Sequence, residues 1–66
     1  MINFGTLLEK EVKVITLILY ENGRKIKTEY VGTLIFDGKE VIIIKEKDLA
    51  RVKIAKKFIK RIEETQ

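Results

Sequence analysis

The 66-residue chain contains no Cys, His, Pro, Ser or Trp. Without Cys it has no disulfide, and without Cys or His it has none of the usual zinc ligands. Neither common staple of a small domain is therefore present. The same gaps remove the nucleophile–base pairs that Ser or Cys forms with His. The four glycines, Gly5, Gly23, Gly32 and Gly38, stand apart, so no glycine-rich phosphate loop is written here. Carboxylates adjoin at Glu9 and Glu11, before a strand, and at Glu63 and Glu64, near the chain end. The expectation is a non-enzymatic protein with no cofactor and no metal site. No apolar run approaches the roughly 20 residues of a membrane span. Met1 to Leu8 lacks the basic segment of a signal peptide. A cytoplasmic protein with no membrane partner is expected.

What is present is apolar and charged. Hydrophobic residues make up 45% of the chain, enough for one small domain over 1–66 to fold. Charged residues make up 36%, rich in Lys and Glu, a balance like that of thermophile proteins. Residues 1–44 carry six basic and six acidic side chains, whereas 45–66 carry eight and four. The whole net charge of +4 thus sits in the last third. Such asymmetry points to a nucleic acid or another anionic partner.

Met1 to Lys10 predicts a turn or short helix, since Thr6 and Glu9 have capping-box spacing. Ile2, Phe4 and Leu8 are expected to tuck against the core. Residues 12–46 predict consecutive β-hairpins. VKVITLILY over 12–20 is rich in β-branched residues, and Asn22-Gly23 is a strong hairpin turn. A two-residue loop there pairs Glu21 with Arg24, which sets Leu19 opposite Ile26, Leu17 opposite Thr28 and Ile15 opposite Tyr30. Gly32 predicts a bulge or bend. A second tight turn at Asp37-Gly38 pairs Leu34 with Val41. Val41, Ile42, Ile43 and Ile44 are apolar on both faces, so cover is expected from barrel closure or a partner subunit.

The last segment, DLARVKIAKKFIKRIEETQ, predicts a basic amphipathic helix over 48–64. At 100° per residue Val52, Ala55, Phe58, Ile59 and Ile62 share one arc, and Lys53, Lys56, Lys57, Lys60 and Arg61 share the other. The fold expected is α+β: a small antiparallel sheet of about four strands, an SH3-like barrel or meander, covered by this helix. Like-charge neighbours four apart destabilise a helix, so the basic face is either merely solvated or has a use. That use is phosphate contact by Lys53, Lys56, Lys57, Lys60 and Arg61, with Lys25, Lys27 and Tyr20 adding a stacking-plus-cation surface. Duplex DNA is the first expected partner, bound by a homodimer. The alternative is a protein–protein or assembly module that meets an acidic protein or its own copy through Val41, Ile42, Ile43 and Ile44.

Three partial resemblances accompany this reading. Val31 to Phe36, then Asp37-Gly38-Lys39 and Glu46-Lys47-Asp48, resembles the second half of the small archaeal seven-kilodalton chromatin proteins. Those are SH3-like barrels that bind duplex DNA. Tyr20 to Gly23 followed by Phe36 to Ile43 is similar to short prokaryotic antitoxins with a swapped-hairpin DNA-binding half. Gly32-Thr33-Leu34 with Phe36-Asp37 faintly resembles Sm-like barrels. Each match spans under half the chain, and no residue role is carried over from any of them.

Overall fold

The computed structural model describes residues 4–19 and 22–65. They form one antiparallel sheet of five strands: β1 (Glu11–Leu19), β2 (Lys25–Asp37), β3 (Val41–Lys45), β4 (Arg51–Ala55) and β5 (Ile59–Glu64). The strand order is β4-β3-β2-β1-β5, so the two edge strands are neighbours in sequence. A three-residue 3-10 turn, Lys56–Phe58, joins them. A sheet whose two edges are linked so closely must curl, and it wraps its inner face around the core.

That core is Phe4, Val12, Val14, Leu34, Ile42, Ile44 and Ile54, with Leu7, Tyr30, Val52, Ile59 and Ile62 packed against it. Val12, Val14, Leu34, Ile42 and Ile44 have no exposed surface. Each such side chain stabilises the fold by about 1.5–3 kcal/mol. Phe4 enters from the N-terminal segment, where Gly5–Leu7 makes a 3-10 turn without a side-chain cap. The expected Thr6–Glu9 capping box does not form, because Glu9 has left-handed backbone (φ 67°). Leu8 is exposed, and Ile2 lies outside the described residues.

The expected C-terminal helix over 48–64 is overturned, and with it the α+β class. The chain there is strand, turn and strand, and helical structure among the described residues is limited to two 3-10 turns. Two features explain the misleading pattern. Arg51 to Ala55 alternates at period two, and Val52 and Ile54 turn inward. In β5 a bulge breaks the period. Thr16 pairs Ile59 while Ile15 pairs Arg61, which leaves Lys60 as an extra residue. Ile59 and Ile62 therefore face the core at a spacing of three, the spacing a helix would use. Lys56-Lys57, where the alternation fails, is the turn itself.

Register also departs from expectation in both hairpins. Leu19 pairs Lys25 and Ile18 pairs Ile26, one residue away from the expected pairing. Such a slip exchanges the faces. Val12, Val14 and Thr16 point in, and Ile15, Leu17 and Leu19 point out. The cause is a connection longer than two residues. It holds Gly23 at φ 80° and an Arg24 N–H that donates to Asn22 Oδ1 (2.9 Å). Glu21 and Tyr20 lie outside the described residues. In the second hairpin Leu34 pairs Ile44, not Val41, and Phe36 pairs Ile43, so Ile35 is the extra residue of a second bulge.

Gly32, expected to interrupt β2, sits within a continuous strand. Its role is close approach: a Cβ there would come within 2.6 Å of the Lys45 carbonyl oxygen. This is where β2 passes from pairing with β1 to pairing with β3.

The Ile35 bulge has one more effect. It turns Asp37 inward, where its Oδ1 lies 2.7 Å from Lys56 Nζ, each side chain only 9% exposed. Asp37 Oδ1 receives no well-angled hydrogen bond, so the contact is chiefly ionic. Asp37 Oδ2 accepts the Phe4 N–H (3.1 Å), and the Lys56 N–H donates to the Glu40 carbonyl (2.8 Å). Lys56 Nζ also stands 5.3 Å from the Phe4 ring centroid. One buried ion pair thus ties the N-terminal segment, the end of β2 and the edge-joining turn together.

Candidate nucleic-acid interface

With the helix gone, its basic residues scatter. Lys53 is exposed on β4, Lys57 on the 3-10 turn, and Lys60 and Arg61 on β5. Lys56 is withdrawn into the buried pair with Asp37. Lys57 lies over the Phe58 ring, 5.1 Å from its centroid. Lys25 and Lys27 are exposed on β2, and Tyr20 lies outside the described residues. Nor does the apolar strand offer four residues to a partner. Ile42 and Ile44 are fully buried inside, and only Val41 and Ile43 turn outward, half-buried.

The strand ladders place some of the cations on two outward faces. Across β5, β1 and β2, Arg61 stands opposite Ile15, Lys27 opposite Leu17 and Lys25 opposite Leu19. Acids interrupt this face. Lys13 Nζ pairs with Glu29 at 3.1 Å, and Arg61 Nε with Glu63 at 3.6 Å.

The outward face of β3 and β4 is different. It presents Val41, Ile43 and Lys45 beside Ala55, Lys53 and Arg51, three cations and no acid. Lys45 and Arg51 are directly opposed, a like-charge pair, and Lys53 is opposite Ile43. Among the described residues, none of these three cations takes part in an ion pair. Phe36 continues the row beyond Ile43 and is 48% exposed. At one end of this face Lys45 also lines a shallow groove shared with Glu9, Glu11 and Glu46, so acids border the cations there. Lys45, Arg51 and Phe36 were not picked out by sequence reasoning. The alternation of Arg51, Val52, Lys53 and Ile54 carries the signal for Arg51, but over the longer window the helical arc is the stronger period.

Among the described residues no group of three or more His, Cys, Asp or Glu side chains could hold a metal ion. No helix among them is long and apolar enough to cross a membrane. No family model, no curated protein and no solved structure matches the chain, so the site rests on its own residues.

Proposed function

We propose that the protein binds nucleic acid through the outward face of β3 and β4, with Lys45, Arg51 and Lys53 contacting phosphates. One observation carries this: Lys45 and Arg51 face each other across the ladder without an acid between them. Like charges directly opposite weaken a sheet, where an opposite pair would contribute about 0.2–1 kcal/mol. An arrangement that lowers stability is explained if a polyanion meets it. Three phosphate contacts release counterions, so log K should fall with log salt at a slope of about −2 to −3.

The variant Arg51→Glu separates this from a merely solvated face. It converts the like-charge pair into an opposite one, so the melting temperature should rise. Binding to a labelled oligonucleotide, read by anisotropy at low salt, should fall at least tenfold. A melting temperature that rises while affinity stays the same would overturn the proposal.

A second reading, a protein-binding module, is favoured by Leu49. It is 69% exposed and holds left-handed backbone (φ 70°) in the turn between β3 and β4. Water and backbone both disfavour a leucine there, and a protein partner covering it would relieve the first cost.

A further inference from the structure

We infer that the same face selects single-stranded over duplex nucleic acid by stacking a base on Phe36, an inference that rests on the phosphate-binding reading above. The bulge at Ile35 turns Phe36 outward; regular alternation from the buried Leu34 would have placed it inside. The ring stays 48% exposed. Its position is fixed from beneath: a Cβ on Gly38 would come within 2.6 Å of Phe36 Cε2 and 3.0 Å of Cζ. Only glycine lets that ring edge rest on the backbone. In the same row, two strands away, stands Lys53, at a separation of roughly 10 Å. An aromatic face with a cation farther along its row is an arrangement on which an unpaired base can stack while a neighbouring phosphate is neutralised.

The two nucleic-acid forms differ in what they can offer this ring. A duplex keeps its bases stacked inside and reaches only the cations. A single strand offers both phosphate and a free base face. An acidic peptide would satisfy the cations alone, and it enters the test as a competitor.

The test uses the absence of tryptophan from the chain. In Phe36→Trp the single indole reports contact at this position. Oligo-dT of about 16 nucleotides, a duplex of the same length and a glutamate-rich peptide are titrated in turn. Oligo-dT should quench the indole, while the duplex binds by anisotropy without quenching. In parallel, Phe36→Leu should weaken oligo-dT binding about fivefold or more and leave duplex binding within twofold. Equal effects of Phe36→Leu on both forms, or none on either, would overturn the stacking inference while leaving phosphate binding intact. Quenching by the peptide as strong as that by oligo-dT would overturn it as well. If neither nucleic acid binds, the phosphate reading fails and takes this one with it.

Discussion

Leu49 shows how much a single residue can disclose. Its N–H donates to the Glu46 carbonyl at 2.9 Å, the Glu46 N–H donates to the Ala50 carbonyl at 2.8 Å, and the Ala50 N–H donates to Asp48 Oδ1 at 3.1 Å. These bonds close the turn with Leu49 left-handed, a conformation that costs a non-glycine residue about 1–3 kcal/mol. Leu49→Gly should therefore stabilise the fold by about 1 kcal/mol, as measured by urea unfolding. The same variant examined by sedimentation velocity tests the second reading. A loss of self-association would favour it, and unchanged sedimentation would leave Leu49 without a role between copies of the chain. Lys56 makes the opposite point. Its charge is needed within the fold, because removing either partner of a buried pair leaves the other uncompensated.

At the scale of elements, β5 decides the architecture. Its edge is clasped to β1 by the Thr65 N–H donating to the Glu11 carbonyl (2.9 Å) and by the Thr65 hydroxyl on Glu11 Oε1 (2.6 Å). The Lys60 bulge makes a strand imitate a helix in sequence, and that imitation can be tested by deletion. Removing Lys60 restores a regular ladder, with Ile59, Arg61 and Ile62 keeping their partners Thr16, Ile15 and Val14. Stability should change by no more than about 1 kcal/mol in thermal unfolding. In a helix the same deletion would rotate Ile62 by 100° off the apolar arc and cost far more. The β1, β2 and β3 strands were legible because Val12 to Leu19, Lys25 to Phe36 and Val41 to Ile44 carry β-branched runs bounded by turns. Register was not legible, since it depends on turn length and on bulges at Ile35 and Lys60 that only the assembled ladder reveals. The same limit hid the site. Phe36 points outward and Asp37 inward because of one extra residue, and Lys56 left the basic set because Asp37 was waiting for it.

Across the whole molecule, the charge excess of the last third is not gathered on one helix face. Half of its eight cations sit on the two edge strands, as Arg51 and Lys53 on β4 and Lys60 and Arg61 on β5. Charged side chains on edges discourage sheet-to-sheet pairing, which accounts for part of the excess without any ligand. It does not account for Lys45, on the interior strand β3, facing Arg51. The measurement that separates the two faces most directly is an amide chemical-shift map of the 15N-labelled protein titrated with oligo-dT. Shifts are expected at Phe36, Ile43, Lys45, Arg51 and Lys53, with strand-like carbon shifts over residues 51–55 and 59–64. Shifts confined to Lys25, Lys27, Lys60 and Arg61, or none at saturating oligonucleotide, would contradict a binding face on β3 and β4.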